Sequence, residues 1–150
     1  MNKVNVHLEE ITEHNWYEAT QLRVSEEQLS LYPCPIVYWI AESKYATHFC
    51  LKAIYADEVM VGFLIYNLDP DDGEYWITTF MIDERFQRKG YALQALTEFI
   101  HYFKNKYDTD KIKLGHRANN VAAANLYEMM GFHINGEIIG DEIVRCYSLK

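Results

Sequence analysis

At 150 residues, 49% hydrophobic and 24% charged, the chain is long enough to bury the core of one domain, and no apolar run reaches the roughly 20 residues that span a bilayer. A net charge of −8 argues against a nucleic-acid binder, which works through a basic face, and is compatible with cationic partners. Cys34, Cys50 and Cys146 are odd in number, far apart and without metal-ligand spacing, so no disulfide framework and no metal centre are expected. Met1 to Leu8 lacks the basic and apolar regions of a signal peptide, which makes a cytoplasmic location and no membrane association the expectation. Aromatic side chains, at 15%, are expected mainly in half-buried packing, with some free to line a pocket for an alkyl-ammonium ligand.

Val4, Val6 and Leu8 alternate with polar residues and predict a first strand. Thr12 is the expected N-cap of a helix carrying Trp16, Ala19 and Leu22 to Arg23. Ser25-Glu26-Glu27-Gln28 has the form of a capping box and predicts a second helix, ended by Tyr32-Pro33-Cys34-Pro35. Ile36 to Ser43 is expected as a further short helical stretch. Phe49 to Tyr55, Val59 to Leu68 and Glu74 to Ile82 read as strands, with turns at Asp57-Glu58 and Asp69 to Gly73, and so as an antiparallel meander. From Tyr91 a helix presents Leu93, Leu96, Phe99 or Ile100, and Phe103 on one face, with Lys104 and Lys106 complementing its C-terminal dipole. A short strand from Lys111 to Leu114 ends at Gly115. Asn119 or Asn120 caps a helix to Met130, Gly131 terminates it, and Phe132 to Glu137 with Ile143 to Leu149 form a hairpin around Gly140-Asp141. The order predicts one mixed α/β domain over residues 1–150.

Two stretches carry chemistry. Met81 to Ala92 passes from strand to helix through the basic, glycine-closed turn Gln87-Arg88-Lys89-Gly90. Unpaired amides at a helix start, together with the helix dipole, favour an anion there, and Gly90 keeps side-chain atoms out of its way. The spacing fits neither a Walker loop nor a dinucleotide fingerprint. In the second stretch, Asn120 to Phe132, the residues Asn120, Ala123 or Ala124, and Tyr127 fall on one helical face. Small residues between Asn120 and Tyr127 let a ligand chain lie close to the backbone.

Taken together, Gln87-Arg88-Lys89-Gly90-Tyr91-Ala92 and Asn120-x-x-Ala123-x-x-Leu126-Tyr127-x-x-x-Gly131-Phe132 resemble the two acetyl-CoA motifs of the GCN5-related N-acetyltransferase (GNAT) family, and the element order resembles that family over essentially the whole chain. The resemblance implies a central, mostly antiparallel sheet of six to seven strands flanked by about four helices. It implies acetyl-CoA as cosubstrate, an amine as acceptor and a possible homodimer. The backbone of Phe80, Met81 and Ile82 would pair with the pantetheine arm, and the segment from Gln87 and Arg88 through Lys89, Gly90, Tyr91 and Ala92 to Leu93 would hold the diphosphate. Asn120 and Ala123 would contact the arm, and Tyr127 would donate to the departing thiolate.

The acceptor side departs from the pattern. Many relatives carry a Glu or Asp on the fourth strand where this chain has Thr78, beside Thr79. A water held by either threonine, or a carboxylate from another element, is then needed to take the amine's proton; Glu26, Glu27, Glu74 and His116 are the candidates. Val24 to Ser30, and Phe80 to Gln87, look like the bacterial spermine/spermidine acetyltransferase branch. On that resemblance Glu26, Glu27 and Thr78 are expected to contact a polyamine, helped by the aromatics Tyr32, Tyr38 and Trp39. Another small amine, an antibiotic or a protein N-terminus stands as the alternative acceptor. A non-catalytic acyl-CoA-binding module stands as the alternative to an enzyme.

Overall fold

Among the described residues, seven strands form one sheet in the order β1-β2-β3-β4-β5-β7-β6. They are β1 (Val6–Glu10), β2 (Phe49–Ala56), β3 (Val59–Leu68), β4 (Tyr75–Ile82), β5 (Lys111–Arg117), β6 (His133–Ile139) and β7 (Glu142–Ser148). The helices are α1 (Trp16–Thr20), α2 (Ile36–Ser43), α3 (Tyr91–Lys106) and α4 (Val121–Met130). The computed structural model describes residues 3–31 and 34–150. Tyr32 and Pro33, expected to end a helix, lie outside the described residues, as do Met1 and Asn2; Tyr32 is also one of the aromatics expected beside the acceptor. Among the described residues no helix is long and apolar enough to cross a membrane.

Helices cover both faces, which is why β3 is buried along almost its whole length rather than alternating. On one face Phe99, Ile100 and Phe103 of α3 and Tyr127 of α4 pack on Leu64, Tyr66, Ile77, Phe80 and Ile82. On the other, Ala19 and Leu22 with Ile36, Trp39 and Ile40 pack on Leu51, Phe63, Ile65 and Met81. Both α3 and α4 follow their sequence signals. Lys104 and Lys106 sit in the last turn of α3, and Gly131 closes α4 at φ 104°, the left-handed conformation of a glycine C-cap.

Four local expectations are corrected. Thr12 holds a turn rather than capping a helix: its Oγ1 accepts from the His14 amide at 3.1 Å and its carbonyl from Trp16 N at 3.0 Å. The first helix stops at Thr20, because Arg23 is drawn onto β4, donating its amide to Asp83 at 2.8 Å and accepting from Glu84 N at 2.8 Å. The segment Glu26–Leu31 is 3₁₀, not α. Gln28 does reach back to the Ser25 amide, at 3.3 Å, but its carboxamide oxygen is shared with Gln87. Finally β5 runs on to Arg117, its ladder to β7 carried through Gly115 by the pairs His116–Ile143 and Arg117–Glu142.

The sheet has an internal gap. β4 and β5 run parallel but pair only at Trp76–Lys113 and Ile77–Leu114, after which the strands diverge. The register between β3 and β4 shifts there as well, from Tyr66–Ile77 to Ile65–Thr79, leaving Thr78 as a bulge. A bulge resets the two-residue alternation. Ile77 and Phe80, odd and even, consequently face the same core. At the far end, β6 is an edge strand with Ile134, Ile138 and Ile139 exposed.

Candidate active site

Of the expected site residues, Thr78, Phe80, Asn120 and Tyr127 line that gap, while Gln87 to Leu93 do not. Its lining includes Thr78, Thr79 and Phe80 from β4, Gly115, His116 and Arg117 from β5, and Asn120 and Tyr127 from α4. Tyr127 is buried at 8% exposure, its ring 6.0 Å from those of His116 and Phe132. Asn120 is the N-cap of α4, its Oδ1 accepting from Ala123 N at 3.2 Å. Two helical turns separate Asn120 from Tyr127, as the spacing predicts. Ala123 is half-buried between them against the core.

The turn expected to hold a diphosphate has backbone suited to an anion. Arg88 takes φ 63° and Gly90 φ 81°, so the chain turns sharply before α3 begins at Tyr91. The first amides of that helix, Tyr91, Ala92 and Leu93, have no carbonyl one turn back to bond. A Cβ on Gly90 would meet only Gln94 Nε2, at 3.8 Å, within 4 Å, so the space above the turn is open. Arg88 and Lys89 are exposed at its rim. These features fit a diphosphate. Gln87 does something else with its side chain: Nε2 donates to the Ile82 carbonyl at 2.8 Å and to Gln28 Oε1 at 2.9 Å, tying the loop to the strand end and to the 3₁₀ segment.

Sequence reasoning missed the residue that anchors this corner. Asp83 is 1% exposed and accepts from the amides of Arg23 (2.8 Å) and Arg85 (2.9 Å) and from the Arg85 guanidinium. Burial pushes its carboxyl up, but the Arg85 side chain, with the Arg85 and Arg23 amides, outweighs burial and holds it below the usual carboxylate range. A carboxyl depressed in the folded state stabilises above its unfolded pKa of about 3.9, and the contribution is lost as pH falls through the folded value. Asp83→Asn is therefore expected to cost on the order of 2 kcal/mol at pH 7, a fall in Tm of roughly 4–8 °C. The difference from the unsubstituted protein shrinks below about pH 4. Thermal melts against pH measure both.

Of the candidate bases, His116 is committed elsewhere. A guanidinium only donates, so His116 Nε2 accepts from Arg145 Nε at 2.8 Å, and Nδ1 carries the proton it gives to the Arg117 carbonyl at 3.0 Å. Glu74 pairs with Lys111 at 3.0 Å and with Lys113. Glu26 and Glu27 are exposed and do not line the gap or the cleft beside it. Thr78 does line both, donating its hydroxyl to Asn67 Oδ1 at 2.9 Å. That cleft, about 920 Å³, lies on the α1–α2 side of the sheet and is walled by Trp16, Tyr17 and Trp39. A third cavity, about 440 Å³, runs from Thr78 past Trp76 to Asp69, Asp71 and Asp72.

A match to the acetyltransferase (GNAT) family spans residues 8–132. The spermine/spermidine N(1)-acetyltransferase of Bacillus subtilis (strain 168) is 30% identical over 141 residues, covering 90% of this chain and 92% of that protein. Among solved structures, the spermidine N-acetyltransferase of Vibrio cholerae, in complex with CoA and spermine, superposes with a TM-score of 0.73 at 14% identity, over 96% of this chain and 95% of that one. The ribosomal-protein-S18-alanine N-acetyltransferase of Escherichia coli gives 0.70 at 19%, over 97% and 95%. At such identities these two structures establish a shared fold.

Proposed function

This chain belongs to the acetyltransferase (GNAT) family, and from that premise we propose that it transfers the acetyl group of acetyl-CoA to a primary amine of a polyamine such as spermidine or spermine. The observation that carries the proposal is the gap between β4 and β5. It shares Thr78, Thr79 and Glu142 with a cleft walled by aromatic residues, and the strand that borders it, β4, leads along the chain into the open turn at Gly90. A linear thioester arm laid in the gap would run beside Phe80, Met81 and Ile82 of β4 and along the flank of α4 at Asn120 and Ala123.

A neutral amine attacks the thioester carbonyl, and charge develops first on oxygen and then on sulfur. A β4 amide at the gap serves the oxygen, and the Tyr127 hydroxyl, inside the gap, serves as acid to the sulfur. The polyamine is supported by the names of the Bacillus subtilis and Vibrio cholerae relatives and by charge. A flexible polycation suits a groove bearing Asp69, Asp71, Asp72 and the Trp76 ring. Exposed Glu26 and Glu27 would act on it from the groove's approaches rather than from its wall. The homodimer implied by the resemblance would cover the exposed β6 edge.

A thiol-release assay with acetyl-CoA and a panel of spermidine, spermine, an aminoglycoside and a peptide with a free N-terminus tests this. Turnover is expected with the polyamines. Turnover only with another amine removes the polyamine. Calorimetric binding of acetyl-CoA without turnover of any amine leaves an acyl-CoA-binding module instead of an enzyme.

A further inference from the structure

We propose that Glu142, on the C-terminal hairpin, is the carboxylate that takes the proton from the attacking amine, supplying from β7 what Thr78 leaves missing on β4. The role rests on the acetyl transfer proposed above but not on the acceptor being a polyamine.

Three cavities meet at the β4 bulge: the gap, the aromatic cleft and the acidic groove. Among the described residues Thr78 and Glu142 are the two that line all three, and Glu142 is the one of them that ionises. Its position follows from the register. Along β5, Ile112 and Leu114 face the core that holds Tyr127, so Lys113, Gly115 and Arg117 face the other way. Glu142 is the direct partner of Arg117 and therefore shares that second face. Tyr127 and Glu142 thus reach the gap from opposite sides of the sheet, the acid toward the donor side and the carboxylate toward the acceptor cleft.

The side chain is also left available. Arg117 turns its guanidinium to Asp141, at 3.6 Å, rather than to its cross-strand partner. Among the described residues the Glu142 carboxylate has neither an ion pair nor a hydrogen bond. It lies instead over Gly115: a Cβ there would stand 2.8 Å from Glu142 Oε2 and 3.5 Å from its Cβ and Cδ. With no side chain at 115, the carboxylate can fold back along the strand toward Thr78 instead of standing away from the sheet.

The proton balance is as follows. The bound ammonium gives one proton to the Glu142 carboxylate, which releases it to water in the open groove. The freed lone pair forms the N–C bond as the C–S bond breaks, with its electron pair leaving on sulfur. Tyr127 protonates that sulfur, and the surplus proton on the acylated nitrogen returns through water to the Tyr127 oxygen.

The test is Glu142→Gln, assayed with whichever amine the unsubstituted enzyme turns over best. A fall in kcat of about 10²-fold or more is expected, with acetyl-CoA affinity by calorimetry unchanged and activity partly restored in Glu142→Asp. A second variant checks position: Gly115→Ala displaces the carboxylate and should lower kcat alone but add little in the Glu142→Gln background. An unchanged kcat in Glu142→Gln overturns the proposal, and so does a raised KM at unchanged kcat, which would make Glu142 an anchor for the acceptor. Strict additivity of the two substitutions also overturns it. No turnover of any amine by the unsubstituted protein refutes the transferase itself, an outcome distinct from these.

Discussion

Tyr127→Phe is expected to lower kcat by about 10²–10³-fold, the range of a general acid removed from a transition state, while leaving acetyl-CoA affinity within a few-fold of its starting value. The phenyl ring keeps the contacts with His116 and Phe132, each 6.0 Å away between ring centres, so the fold and the gap are preserved. What is lost is one hydroxyl, the group that the proposed mechanism gives the role of protonating sulfur. Binding is measured by calorimetry and turnover by thiol release. An unaltered rate would take Tyr127 out of the mechanism. A parallel loss of affinity would make it part of the binding surface instead, because an interaction made only in the transition state leaves ground-state binding intact.

Gly90→Val is expected to produce the largest loss of acetyl-CoA affinity, about 10²-fold or more, corresponding to roughly 3 kcal/mol. Two effects add. The Cβ would point into the open space above the turn, where a diphosphate would lie, and φ 81° is a conformation that β-branched residues avoid. The backbone term, on the order of 1–3 kcal/mol, acts on folding as well, so Gly90→Ala and a thermal melt separate the two. Binding must fall by more than stability accounts for. Retained affinity in a folded Gly90→Val protein would place the phosphate site elsewhere.

The parts of this architecture set by near neighbours were legible from residues alone. Ser25 to Gln28 announced a cap, and Gln28 does reach the Ser25 amide at 3.3 Å. Asn120 and Gly131 marked both ends of α4, and Gln87 to Ala92 marked the turn into α3. What escaped depends on contacts distant in sequence. That Glu26–Leu31 is 3₁₀ follows partly from Gln87, 59 residues beyond Gln28, competing for its carboxamide oxygen. Nothing near Asp83 in sequence sets it apart from the charged residues around it; its role depends on Arg23, 60 residues away, which donates to it. Glu142 follows a turn at the start of an ordinary strand, and nothing local connects it to Thr78. The bulge is invisible for another reason: Thr78 and Thr79 both suit a strand, and only the partner strand decides which is extra.

The two residue pairs that join β4 to β5 have one more consequence, for the behaviour of the molecule among its neighbours. Unpaired strand backbone is a hazard on a sheet's outer rim, where it can template addition of another chain and lead to aggregation. Here the edge of β4 beyond Ile77 is recessed between strands, with α3 and α4 packed over one face and a cleft on the other. An incoming strand must bring side chains projecting to either side of its own plane, and the helices bar those on the packed face. A thin, unbranched molecule carrying its own amides meets no such barrier. On the function proposed above, the recess thereby favours a thin pantetheine-like chain over a polypeptide strand.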